Sequence, residues 1–342
     1  MSSKQTIGID TAKRVFFLHG EDARGKVILR EKLSRERLVP FLANQPVSLI
    51  AIEAGCGAHH WARAFARLGH EVRLIHPKFV RPFVKTNKND WNDAAAICEA
   101  AQRPTMRFVA AKSLEQQDLL VVHRIRARLV AQRTGLCNQI RGLLAEYGIV
   151  LPQAISRLRR ALPEVLEDAG NELTVRGREL IASLREELCE LEERIKPYEQ
   201  AIERASIDSG TCRRLRTIPG IGPIGATAVV ATMGDPKAFK NGRHFAAFLG
   251  LVPRQHSSGG KSQLGRISRR GDVYVRRILI QGAHAILKRI DQRDGPRTEW
   301  LRALVARRGK QVAAVAVANK NARIAWRLLS QETFYAEDLA AA

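Results

Sequence analysis

The chain has 342 residues, 45% of them hydrophobic and 27% charged, the proportions of a globular protein with room for more than one domain. Its 57 Lys and Arg against 34 Asp and Glu leave a formal net charge of +23, an excess that draws polyanions and speeds encounter with them, nucleic acid ahead of anionic membrane. No apolar run approaches the roughly 20 residues that cross a bilayer. The opening MSSKQTIGID lacks a signal-peptide core, and five scattered cysteines (Cys56, Cys98, Cys137, Cys189, Cys212) without a CxxC pair argue against a disulfide framework or structural zinc and for a reducing cytoplasm.

The first hundred residues alternate strand and helix signals. TIGIDTAK and RVFFLHG read as two strands with a short connection, and GKVILREKL as a third after the turn around Gly25. Arg35 to Ala43 suits a short helix, PVSLIAIEAG a buried strand, HHWARAFARLG a helix ending at Gly69, and EVRLIHP another strand. A further helix starts near Asp90. The order β-β-β-α-β-α-β-α predicts a mixed sheet flanked by helices, an α/β N-terminal domain over residues 1–110.

From Leu114 to about Tyr147 the pattern turns helical, with Val122, Ile125, Leu129, Leu136, Ile140 and Leu143 on one side and Arg124, Arg126, Arg128 and Arg133 on much of the rest. Pro152 and Pro163 punctuate. Leu180, Leu184, Leu188, Leu191, Ile195, Tyr198 and Ile202 then recur by threes and fours, which reads as a coiled coil or helical hairpin, or as a plain amphipathic helix on the core. Such a seam can join two protomers. Pro197 inside it is expected to kink or end the helix. This helical segment takes residues 111–210.

A mainly α-helical C-terminal domain is expected over 211–335. IPGIGPIGA reads as a helix-turn-helix connection similar to the helix-hairpin-helix element of non-specific DNA binders. There the glycine-rich turn, with Gly220 and Gly222, leaves backbone N–H groups free for phosphate; any tight interhelical turn also favours Gly and Pro. Residues 254–272, RQHSSGGKSQLGRISRRGD, place Ser257 and Ser258 on a flexible basic loop with Lys261, Arg266, Arg269 and Arg270. Such a loop either holds phosphate or delivers a hydroxyl to it. Helical patterns resume from Val273 through Ile290 and from Arg297 to Leu329.

In so basic a chain four acidic residues stand out. Asp10 lies in the first strand, where Ile7 and Ile9 face the core; Glu53 ends the strand LIAIEAG; Asp90 and Asp93, three apart in NKNDWNDAAAI, share one face of a helix start. The ends of the first and fourth strands are expected to be neighbours, with the helix bringing its pair alongside. Four converging carboxylates repel one another without a cation, and an all-oxygen set suits Mg²⁺ or Mn²⁺ serving phosphoryl transfer. Taken singly, each has a structural explanation: Asp10 a turn former, Glu53 a loop residue, Asp90 an N-cap and Asp93 a complement to the helix dipole.

GID with Asp10, IEAG with Glu53, and KNDWNDA with Asp90 and Asp93 resemble the acidic tetrad of the DEDD insertion-sequence transposases. The C-terminal TIPGIGPIGA, FAAFLGLVPRQHSSGGKSQLGRISRRGD and VANKNARIAW resemble the same family, so the likeness spans residue 5 to about 330. It implies a ribonuclease H-like, RuvC-like N-terminal fold and four carboxylates acting as metal ligands. It also implies a serine nucleophile, aligned with Ser258 and with Ser257 as runner-up, that links covalently to DNA. The family's bridge-RNA-guided members imply a noncoding guide RNA beside donor and target double-stranded DNA. The carboxylates and the serine fall in different expected domains, which suggests closure on substrate or assembly between protomers. With the heptad segment as a seam, a homo-oligomer (dimer or tetramer) is therefore expected, in the cytoplasm at the nucleoid. Two other readings stay open: a structure-specific endonuclease that uses metal and water, with the serines only binding phosphate, and a non-catalytic nucleic-acid-binding scaffold.

Overall fold

The computed structural model describes residues 4–11, 13–85, 89–292 and 294–336. In chain order the elements are β1 (Thr6–Thr11), β2 (Val15–Glu21), β3 (Val27–Ser34), α1 (Arg35–Ala43), β4 (Leu49–Glu53), α2 (Ala58–Arg67), β5 (Glu71–Ile75), α3 (Pro77–Val80), α4 (Asp90–Ala101) and β6 (Phe108–Val109). There follow α5 (Leu114–Ala145), α6 (Ile155–Glu167), α7 (Val175–Asp208), α8 (Gly210–Arg216), α9 (Pro223–Met233) and α10 (Gly242–Phe248). The last are β7 (Pro253–Gln255), β8 (Leu264–Ile267), α11 (Val273–Leu287) and α12 (Pro296–Gln331). Contacts divide the chain into two units, one of residues up to Ser113 with Gly234–Ala238, the other of Leu114–Met233 with Phe239 onward.

The first unit holds the mixed sheet, in the order β3-β2-β1-β4-β5-β6. β1 pairs antiparallel with β2 and parallel with β4, and β4 pairs parallel with β5. Period-2 alternation sorts the faces: Ile7, Ile9, Phe16, Leu18, Ile50 and Ile52 are fully buried with Phe65 and Trp61 of α2. β6, two residues antiparallel to β5, escaped the sequence reading because a two-residue strand leaves no periodicity. α4 covers the opposite face through Gly8, whose Cα lies so close to Ala94 and Cys98 that a Cβ would overlap the Ala94 carbonyl.

The second unit is built on an antiparallel pair, α5 against α7, with Arg126 paired to Glu199 near one end and Tyr147 beside Gly177 at the other. The seam residues Leu188, Leu191 and Ile195 are buried against Leu129, Leu136, Cys137, Ile140 and Leu144 of this same chain. The heptad pattern therefore belongs to an intrachain helical hairpin, and these positions are not available for the two-protomer seam expected. Each buried aliphatic contributes roughly 1.5–3 kcal/mol.

Two positions slip by one residue from expectation: Leu180 and Leu143 are exposed while Ile181 and Leu144 are buried. Neither proline breaks its helix. Pro163 sits inside α6, and α7 runs through Pro197 to Asp208. Pro197 is on the exposed face, where a carbonyl deprived of its helical donor is open to hydration at little cost. α12 does break, at Gly309, whose φ of 78° and ψ of 163° are not helical. Among the described residues no helix is long and apolar enough to cross a membrane.

Candidate functional site

Strand register places the first two carboxylates. β1 and β4 run parallel with Ile9 opposite Ile52 as their last pair, so Asp10 and Glu53 follow side by side at the strand ends. Gly8 and Asp10 share a face, and the close seat of α4 on Gly8 carries the start of that helix over Asp10. Asn89 caps α4, its side-chain oxygen accepting from the Trp91 N–H at 3.0 Å, so Asp90 is not the cap. One oxygen from each of Asp10, Asp90 and Asp93 lies within 4.8 Å of the others. Glu53 stands outside that trio but within its field. Partial burial raises its pKa first, and the charges of Asp10 and Asp93 raise it further.

An aromatic clasp holds this helix start, and sequence reading missed it. Phe17 is the register partner of Asp10 across β1 and β2, and Trp91 meets its ring edge-on with centroids 4.9 Å apart. Arg30 lies 4.7 Å over the Trp91 ring and Lys32 lies 5.5 Å from the centroid of Phe17. The available signal was Phe17 itself, an aromatic on the strand face opposite the buried Phe16 and Leu18. The donor set is all carboxylate oxygen of like charge, Asp10 and Asp93 half-buried and Asp90 exposed, which fits a hard divalent cation.

The basic loop of the second unit is drawn into a hairpin. β7 and β8 pair antiparallel, and a further bridge joins Ser258 to Lys261 around Gly259 and Gly260, with φ of 55° and 75°. Two successive positive φ values make the tight turn that glycine favours. The two serines differ. Ser257 Oγ accepts from Gln255 Nε2 at 2.9 Å and from the Gln263 N–H at 3.3 Å, so it pins the hairpin. Ser258 spends its carbonyl on the Lys261 N–H at 3.1 Å while its side chain stays exposed.

Lys261, Arg266, Arg269 and Arg270 are all exposed along the hairpin and its base. The base is held by Arg276, a buried residue not anticipated, whose Nη1 donates to the carbonyls of Leu249 and Arg270 at 3.0 Å each. The clue was an arginine pair, Arg276 and Arg277, inside the otherwise apolar stretch VYVRRILI, of which Arg276 is the buried member. Gly220 and Gly222 part company. Gly220, at φ 84°, packs on Gly282 of α11, where a Cβ would stand 2.8 Å from the Gly282 oxygen, while Gly222 is exposed with open space around it.

Known proteins resemble the chain along most of its length. The model of a family described as "Transposase IS116/IS110/IS902 family" matches residues 212–298, and a DEDD transposase model of the IS110 type matches residues 7–149. A probable family 20 transposase of Pseudomonas aeruginosa is 48% identical over 330 residues, 96% of this chain and 98% of that protein. A protein named as the transposase for insertion sequence element IS1111A, from Coxiella burnetii, is 44% identical over 98% of this chain and 92% of its own length. The one named for element IS1328, from Yersinia enterocolitica, is 42% identical over 98% of this chain and 100% of its own.

Proposed function

Because the chain belongs to the IS116/IS110/IS902 family of transposases, we propose that it moves an insertion sequence by cutting and rejoining DNA strands through a covalent link to Ser258. The observation that carries this reading is the convergence of Asp10, Asp90 and Asp93 within 4.8 Å, in a chain whose exposed serine hairpin is ringed with positive charge. The sheet order β3-β2-β1-β4-β5, with acidic residues at the ends of β1 and β4, supports a ribonuclease H-like, RuvC-like domain. Asp10, Glu53, Asp90 and Asp93 would hold Mg²⁺ or Mn²⁺. Such a cation supplies charge neutralisation at a phosphate and acidifies a hydroxyl beside it.

The chain's own groups divide the remaining work. Ser258 Oγ attacks a DNA phosphorus: the Oγ–P bond forms, the P–O3′ bond breaks, and the serine proton ends on the departing 3′ oxygen. Rejoining is the reverse, with a 3′-hydroxyl from another strand expelling Ser258, so no water and no co-reactant are consumed. Ser258 is favoured over Ser257 because the Ser257 hydroxyl is spent on Gln255 and Gln263. Lys261, Arg266, Arg269 and Arg270 neutralise the flanking phosphates. Pairing of a noncoding guide RNA with donor and target DNA selects the sequence, and protomers assemble as a dimer or tetramer, at the nucleoid in the cytoplasm.

Incubating the protein with element DNA, its flanking noncoding RNA and Mg²⁺ tests the reading. Wild type is expected to form covalent protein–DNA adducts and Ser258→Ala none. Cleavage without adduct that survives in Ser258→Ala refutes the serine role in favour of water-dependent hydrolysis.

A further inference from the structure

A cleft of about 320 Å³ opens in the second unit between the start of α10 and the half of α12 beyond its break, lined by Asn241, Arg243, Lys320, Arg323, Trp326 and Arg327, with Gly242 and Ile324 as its floor. That volume lies at the small end of the roughly 300–1,000 Å³ of ligand clefts. Its shape follows from one glycine: a Cβ at Gly242 would stand 2.8 Å from the Arg323 carbonyl oxygen, so only glycine lets α10 rest on α12 this closely. The contact sets Arg243 beside Lys320, Arg323 and Arg327, which are spaced by three and four and so share one helix face.

Four of the eight lining residues are cations and none is acidic. Like charges gathered this way repel one another, and Lys320 lies among them. Burial, then the charges of Arg297 and Arg323, push its pKa down. Its ammonium is held 4.8 Å from the centroid of the Trp300 ring. An anion in the cleft relieves this repulsion, and in a chain with net charge +23 from a transposase family the anion at hand is polymeric.

We propose that this cleft binds a backbone phosphate of a nucleic-acid strand, with Arg243, Arg323 and Arg327 as its donors and Lys320 as a fourth positive charge. The contact is blind to sequence, since phosphates carry none. It fixes the register of the strand on the helical unit and plays no part in the chemistry at Ser258.

The test measures affinity of the full chain for single-stranded DNA, duplex DNA and single-stranded RNA of one length across a salt series. Arg243→Gln with Arg327→Gln is expected to flatten the slope of log K against log salt by about 0.7–0.9 per cation removed, for the probe that occupies the cleft. The probe so affected identifies the source of the phosphate. Ser258→Ala is expected to leave every slope unchanged, which separates failure here from failure of the serine reading. Unchanged slopes in the double variant overturn the proposal. So does an equal loss in Arg307→Gln with Arg308→Gln, exposed arginines near the helix break. Wild type alone provides a second readout: the bound strand should shield Lys320 from an amine-acylating reagent, and unaltered labelling overturns the proposal even if the double variant does not fold.

Discussion

Acid should loosen the helical unit at one buried histidine. His123 of α5 is 1% exposed, with Nδ1 2.9 Å from Tyr274 Oη and Nε2 3.0 Å from Thr227 Oγ1. Thr227 Oγ1 already donates to the Pro223 carbonyl at 2.7 Å, so it accepts from Nε2–H, and Nδ1 is left to accept from the Tyr274 hydroxyl. Protonation at Nδ1 destroys that acceptor. Burial, with Arg126 adding to it, depresses the pKa from 6.5 to about 4. The folded value lies below the unfolded one, so this stability is fully present above pH 6.5 and is lost as pH falls through about 4. Between pH 7.5 and pH 5 the loss comes to about 2 kcal/mol, at 1.36 kcal/mol per pKa unit. Hydrogen exchange of α9 amides, corrected for the intrinsic effect of pH, should show about thirtyfold less protection at pH 5 in wild type. His123→Gln should be less stable at both pH values but lose much less between them. An equal acid loss in both proteins refutes the reasoning.

Three further outcomes follow from the acidic cluster and the hairpin. Gly8→Ala should cost roughly 1–3 kcal/mol by overpacking β1 against α4, lowering the melting temperature and weakening Mn²⁺ binding by calorimetry as Asp90 and Asp93 move off Asp10; an unchanged melting point contradicts the close seat. Asp10→Asn should raise the melting temperature of the metal-free protein, because it removes one of the crowded charges, while shrinking the stabilisation gained on adding Mn²⁺. If instead the metal-free protein melts lower, repulsion is not the controlling term there. Ser257→Ala should loosen the hairpin and slow adduct formation without abolishing it; complete loss would transfer the nucleophile's role to Ser257.

What the sequence determined by itself is what local chemistry encodes. Alternation in TIGID and LIAIE puts Ile7, Ile9, Ile50 and Ile52 on one face and Gly8 and Ala51 on the other, because side chains on a strand repeat every two residues. Asp90 and Asp93 share a face because a helix turns every 3.6 residues. The acidic positions and the two adjacent serines were therefore legible before any coordinates. The tertiary structure decided which neighbours each residue has. It seated α4 on Gly8, drew Asp10 into a trio with Glu53 at its edge, and clasped the helix start with Phe17 and Trp91. It gave the heptad seam of α7 to α5 of the same chain, since periodicity names an apolar face but not its partner. It distinguished Ser257 from Ser258 through hairpin register, which a one-residue slip would invert. And it closed the His123 ring between residues 104 and 151 positions away, a separation over which sequence carries no periodic signal and only packing brings the groups together.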